Sequence, residues 1–291
     1  YLCLLLDTQQ PALHQLIRSA LQEDIGEGDH STLSSIPSQQ QGKAVLRIKQ
    51  AGILAGMQVA ATIFQLVEPD AVFTAIKQDG DAMQVGEVAF EVTAKVHTIL
   101  QCERLVLNCM QRMSGIATLT KSYTDLLKGY HTKLLDTRKT TPNFRLLEKE
   151  AVRIGGGVNH RFGLYDMIML KDNHIDYAGG IPQAIAAASD YVQRVQPSLK
   201  IEVETRSLED VALVLEHGAG KVFRIMLDNF TPEQVKAAVV LINGRMETEA
   251  SGGINKENIQ AYAAAGVDYV SVGGLIHQAQ SLDLSLKAVT I

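Results

Sequence analysis

Lys133-Leu134-Leu135-Asp136-Thr137-Arg138 begins a pattern that the rest of the chain repeats. A short apolar run ends in a polar residue, turn residues follow, and a helical stretch comes next. Such runs occupy Lys133–Asp136, Met167–Leu170, Lys200–Glu204, Val222–Asp228, Thr248–Ser251 and Tyr269–Val272. Strand then helix, repeated in this way, predicts a parallel sheet with right-handed crossovers. Polar or small residues close almost every run: Arg138, Lys171, Glu204, Asp228, Ser251 and Gly273. An α/β barrel and an open doubly wound sheet both place their active-site residues at that edge. The barrel is the preferred reading, and six runs in place of eight make it incomplete.

Upstream the rhythm differs. Leu13, Leu16, Ile17, Ala20 and Leu21 fall on one helical stripe that starts after Pro11. Ala44, Leu46 and Ile48 alternate with Val45, Arg47 and Lys49, and Val88, Phe90, Val92, Ala94 and Val96 alternate with Glu87, Glu91, Thr93 and Lys95. Both segments predict half-buried antiparallel strands, with a helix over 57–66 between them. A connector helix is expected from His97 to Lys128, broken near Ser114-Gly115, with Arg104 inside it.

The chain has 291 residues, 46% of them hydrophobic and 20% charged, the profile of an ordinary globular enzyme with ample core. No apolar run approaches the roughly 18 residues of a membrane helix. Tyr1–Leu6 lacks the basic flank and small-residue cleavage site of a signal peptide and reads as a docked terminal segment. Cys3, Cys102 and Cys109 are too few and too widely spaced for a disulfide framework or a zinc site. Cys102 and Cys109, seven apart on an expected helix, read as core or interface thiols, and the sparse set predicts a reducing, cytoplasmic location. The net charge of -5 and the lack of a Lys/Arg block exclude a nucleic-acid binder.

Against that acidic background the cations Arg138, Lys139, His160, Arg161 and Lys171 gather in turns beside short strands. Singly, each arginine or lysine reads as a surface charge. Together at neighbouring strand ends they read as a clamp for carboxylates and phosphates, for which the planar arginine fork is suited. His160 would add a donor of tunable charge, and His174 would orient the Lys171 loop. His14, His97, His131 and His217 have no chemical context and read as structural. Glu204 and Asp228 could accept sugar hydroxyls or hold Mg²⁺ through water. Glu202 shares a face with Glu204 and is expected to pair with a lysine. Ser251-Gly252-Gly253, ahead of a helix expected at Asn255, and Gly273-Gly274, ahead of one near His277, read as a phosphate site.

These segments resemble the quinolinate phosphoribosyltransferase family. The resemblance runs through Glu103-Arg104-Leu105, Ser114-Gly115-Ile116-Ala117-Thr118, Asp136 to Pro142, Gly155 to Arg161, Lys171-Asp172-Asn173-His174, Glu202-Val203-Glu204, Leu227-Asp228-Asn229-Phe230 and Glu249 to Gly253. It implies an N-terminal α/β sandwich over residues 1–112, including the connector helix, and an α/β barrel over 113–291 whose C-terminal tail returns to the N-terminal domain. It implies transfer of phosphoribosyl from 5-phosphoribosyl-1-pyrophosphate to quinolinate with decarboxylation, using Mg²⁺. Arg104 would complete a partner subunit's site in a homodimer or a hexamer of dimers. Arg138, Lys139, His160, Arg161 and Lys171 would surround quinolinate and pyrophosphate. Lys139, Glu204 and Asp228 would be catalytic, with both carboxylates available to the metal. Lys139, Lys171, Glu204, Asp228, Ser251, Gly252, Gly253, Gly273, Gly274 and His277 would hold the phosphoribosyl group. Asn143 stands where the family usually has glycine, and Asn is the residue best able to replace it at positive φ. Ile276-His277-Gln278 departs from the more usual Thr-His-Ser. The rival readings are a barrel lyase with Lys139 or Lys171 as a Schiff base, a transferase for another nitrogen base, and a non-catalytic sugar-phosphate sensor.

Overall fold

A computed structural model describes residues 5–289. Cys3 and most of the expected docked terminus lie outside the described residues; Leu6, in the helical turn Leu5–Thr8, is buried. By contacts the chain forms two units, one of residues up to 121 with 140–156 and from 275 onward, the other of 122–139 with 157–274. The contact division falls after Lys121, whereas the linear boundary read from sequence falls at 112/113, inside the helix Val96–Leu126.

In the first unit the helix Gln10–Ile25 carries Pro11 in its first turn and buries Leu13 and Ile17. Strands β1 (Gln41–Ile48), β2 (Gly52–Ile53), β3 (Val72–Ala75), β4 (Ala82–Met83) and β5 (Val88–Lys95) follow, and β2 pairs with β4 in a two-stranded sheet. The alternation in β1 and β5 buries Ala44 opposite Val92 and Leu46 opposite Phe90, with Ile48 and Ala94 buried along the same strands. The helix Met57–Val67 adds Phe64, whose ring lies 6.2 Å from that of Phe90, with Phe73 4.5 Å from Phe90. Val96 is the first residue of the next helix and not the last of β5.

The helix Val96–Leu126 is continuous, so the break expected at Ser114-Gly115 does not occur. Ser114 Oγ accepts from Ala55 N at 3.0 Å and donates to Ala55 O at 3.2 Å. A Cβ on Gly115 would lie 2.0 Å from the Gln280 carbonyl oxygen. The small pair marks a close approach of backbone to helix, not a helix end.

The second unit holds β6 (Lys133–Leu135), β7 (Ile168–Leu170), β8 (Ile201–Thr205), β9 (Arg224–Asp228), β10 (Glu247–Ser251) and β11 (Tyr269–Ser271). They form a parallel sheet in the order β6-β11-β10-β9-β8-β7, the incomplete α/β barrel expected from the six runs. Val158 makes a parallel bridge to Leu135, so the chain leading to His160 starts a short strand-like run beside β6. Val203, Ile225, Leu227 and Ala250 supply a fully buried apolar face. Of their neighbours in sequence, on the alternate face, Glu202, Glu204, Arg224, Asp228 and Glu249 are charged, and Met226 and Ser251 are not. The final strand β12 (Leu284–Val289) returns to the first unit and pairs antiparallel with β1.

Candidate active site

Asp136 is the first organising residue. It follows β6, is fully buried, and receives the His160 backbone N–H at 2.8 Å and Asn159 Nδ2 at 2.7 Å. These bonds fix the turn that carries His160 and Arg161. Asp166 closes the same turn by accepting from Phe162 N at 2.6 Å and Gly163 N at 2.9 Å. Arg161 is half-buried and donates from Nη1 to Met167 O at 3.3 Å. Its pKa is lowered by burial first and by the nearby charge of Arg138 second. Arg138 therefore shares its surroundings, and Arg138 Nε is buried without a hydrogen-bond partner among the described residues. Two arginine charges near enough to act on each other, one with its buried Nε unmatched, favour an anion beside them.

Lys171 caps the helix Asp172–Ala178 and accepts no side-chain cap there; its backbone N–H donates to His174 Nδ1 at 3.1 Å. His174 thus orients the Lys171 loop, as the sequence reading has it. Lys171 Nζ lies 2.9 Å from Glu204 Oε2, while nearly half of the lysine side chain stays exposed. Asp228, at the end of β9, is raised in pKa by burial first and by the charge of Glu204 second, with Lys171 pulling the other way. The two carboxylates and Lys171 therefore sit together at the carboxyl ends of β7, β8 and β9.

The glycine turns lie alongside. Gly252 and Gly253 have φ of 97° and 63°, and a Cβ on Gly252 would meet Asn229 Oδ1 at 2.2 Å. Asn229 itself has φ 58° and donates to Asp228 Oδ2 at 2.7 Å. Gly252 thus lets the β10 loop press on the β9 loop. The stem of exposed Lys139 crosses Gly273, where an added Cβ would be 3.0 Å from Lys139 Cδ. The helix expected at Asn255 starts only at Ile259 and has 6 residues; the one after Gly273 is the 4-residue Gly274–His277. Their dipoles are correspondingly short, so the open backbone of the glycines is the stronger part of the phosphate argument. Ser251, Gly274 and the other barrel residues belong to the second unit, whereas Arg104 and His277 are exposed residues of the first.

Glu202 does not pair with a lysine. It is fully buried, with Oε2 3.1 Å from His160 Nε2 and 3.8 Å from Arg224 Nη1. Glu249 joins the same group, 3.3 Å from His160 and 3.1 Å from Arg224, and Arg224 also meets Glu247 at 2.9 Å. Period-2 alternation places Glu202 and Glu204, Arg224 and Asp228, and Glu249 and Ser251 on one face, so the charge continues from the strand ends into the barrel. Sequence reasoning passed over Arg224 and Glu249; their even spacing from Asp228 and Ser251 was the available signal. Burial works against a charged His160, whereas Glu202 and Glu249 pull its pKa upward. The Arg161 backbone N–H, 2.7 Å from His160 Nδ1, acts in the opposite sense, because a protonated Nδ1 has no lone pair to receive it. This hydrogen bond sets the tautomer, with the proton on Nε2. Glu202 is raised to about 7 by burial and then by Glu249, which leaves Arg224 facing the ionised Glu249.

Comparison with known proteins decides the lineage. The profile described as "Quinolinate phosphoribosyl transferase, N-terminal domain" matches residues 29–114, and its C-terminal counterpart matches residues 116–287. The chain belongs to the quinolinate phosphoribosyltransferase family. A relative from Arabidopsis thaliana, "Nicotinate-nucleotide pyrophosphorylase [carboxylating], chloroplastic", is 43% identical over 96% of this chain and 83% of its own length. A Bacillus subtilis (strain 168) relative, "Probable nicotinate-nucleotide pyrophosphorylase [carboxylating]", is 42% identical over 94% of this chain and 92% of its own. The crystal structure of NadC from Streptococcus pyogenes is similar at a TM-score of 0.87 and 42% identity, covering 96% of this chain and 97% of that one. Among the described residues of this family member, no helix is long and apolar enough to cross a membrane.

Proposed function

We propose that the protein transfers phosphoribosyl from 5-phosphoribosyl-1-pyrophosphate to quinolinate, with loss of CO₂, to give nicotinate mononucleotide and pyrophosphate in NAD biosynthesis. The observation that carries this reading is the half-buried pair Arg138 and Arg161, close enough that one lowers the pKa of the other. Such a pair is stabilised by a ligand bearing two carboxylates, as quinolinate does. Lys171 and Lys139 flank it towards the acidic strand ends and the glycine turns. Arg104, exposed on its helix, is assigned to the site of a partner subunit in a homodimer or a hexamer of dimers.

Glu204 and Asp228 fit Mg²⁺, because two neighbouring carboxylates, with Asp228 raised in pKa by burial and then by the charge of Glu204, offer hard oxygen donors for a divalent ion. Bound there directly or through water, the ion would neutralise charge on the departing pyrophosphate. The carboxylates orient the ribose hydroxyls, and Lys139 lies where developing negative charge needs a partner. As pyrophosphate leaves, the ribose carbon becomes oxocarbenium-like and the pyridine nitrogen attacks it. The ring nitrogen, now positive, can hold the electron pair released at C2 when the adjacent carboxylate leaves as CO₂. Transfer therefore precedes decarboxylation. The sparse cysteines, with Cys102 and Cys109 free and buried, support a reducing, cytoplasmic setting.

The test mixes the protein with quinolinate, 5-phosphoribosyl-1-pyrophosphate and Mg²⁺. The expected products are equal amounts of CO₂ and nicotinate mononucleotide. Borohydride-trapped adducts on Lys139 or Lys171, with no mononucleotide, would favour a lyase instead.

A further inference from the structure

His160 faces the protein itself at its backbone N–H and at both ring nitrogens. Its backbone N–H goes to Asp136, its Nδ1 receives the Arg161 backbone N–H at 2.7 Å, and its Nε2 lies between Glu202 and Glu249 at 3.1 and 3.3 Å. The side chain is 5% exposed. An imidazole has only two ring nitrogens, so neither is left to meet a carboxylate ligand. Glu202 and Glu249 stand on β8 and β10, either side of Arg224 on β9, so the ring is tied to a rigid part of the sheet. The composition His, Glu, Glu also resembles a metal site. However, Arg224 Nη1 lies 3.1 Å from the same Glu249 oxygen that faces His160, and it already supplies the positive charge there.

We propose that His160 is a positioning residue, a buried strut that hangs the Arg161 turn on Glu202 and Glu249 and does not touch the substrate. Arg161 follows His160 directly, and the strut fixes its backbone N–H, so the direction of the guanidinium depends on the His160 ring through the backbone. This inference rests on the reading of Arg161 as part of the dicarboxylate clamp. It removes His160 from the groups that contact quinolinate and makes Glu202 and Glu249 its supports.

Nitrogen NMR of the intact protein labelled at histidine tests the strut without any variant. His160 is expected to show an unprotonated, hydrogen-bonded Nδ1 and a protonated Nε2, both unmoved when quinolinate is added. Two protonated ring nitrogens in the free protein, or a resonance displaced by quinolinate as a direct contact would displace it, would overturn the proposal. Kinetics supply the second arm. His160→Ala should raise the quinolinate KM on the order of 10²-fold, through a misdirected Arg161, and His160→Gln, which can still aim an N–H at Glu202 and Glu249, should recover about tenfold of that loss. The KM for 5-phosphoribosyl-1-pyrophosphate should stay within about twofold in both variants. Equal loss in the two variants would mean that the ring touches the substrate. If the unaltered protein does not turn over quinolinate at all, the functional reading fails, while the nitrogen resonances still decide the strut.

Discussion

Arg161 is restrained through both its backbone and its side chain: its N–H by the His160 ring, its guanidinium by Met167 O. Burial and the nearby charge of Arg138 both disfavour its guanidinium charge, which an anionic ligand would offset. Arg161→Ala should therefore cost about 2–5 kcal/mol of quinolinate binding, the size seen when one member of a desolvated charge pair is cut away. Titration calorimetry reads this directly, and affinity equal to the unaltered protein would remove Arg161 from the clamp. The cysteines make a complementary case. Burial pushes Cys102 and Cys109 up to about 12, with the Glu68 charge adding to the effect at Cys102. Only the thiolate alkylates, so mildly alkaline iodoacetamide should leave both unmodified in the native protein and modify both after denaturation. Peptide mapping that finds native Cys109 rapidly labelled would contradict this burial.

Elements were legible where periodicity was clean. The six apolar runs of the barrel coincide with β6 to β11, and Asn143, with φ 60°, takes the left-handed conformation its glycine-like position calls for. Helix continuity was less legible. Ser114-Gly115 carries the composition of a break, but its smallness serves contact with Ala55 and Gln280, and tertiary proximity is invisible to a local pattern. Gly115→Ala should consequently destabilise the fold by about 1–3 kcal/mol through overpacking, although alanine favours helix. Denaturant unfolding that showed a gain in stability would mean the Gln280 backbone moves away freely. Likewise Glu202 reads as the partner of a barrel lysine, because its partners in the structure, His160 and Arg224, come from distant stretches. Only the common phase of Glu202, Arg224 and Glu249 hinted that charge ran inward, and phase alone does not name partners.

Across the whole molecule, charge is unevenly arranged. A chain of net charge -5 concentrates Arg138, Arg161 and Lys171 on one edge of its parallel sheet and buries Arg224 with carboxylates beneath. The buried layer is costly unless complete, because an isolated ion in that interior loses its hydration. Arg224→Met should cost about 3–5 kcal/mol by leaving fully buried Glu249 without its cation. Thermal unfolding within about one degree of the unaltered protein would mean the carboxylates simply take up protons instead. The cationic edge above that layer is the central claim, and the need for two acid groups on the ligand tests it most directly. Calorimetric titration of one preparation with quinolinate and with nicotinate should give at least about tenfold tighter binding for quinolinate, one charge-assisted contact being worth roughly 1.5–3 kcal/mol. Equal affinity for the two, or tighter binding of nicotinate, would contradict the clamp.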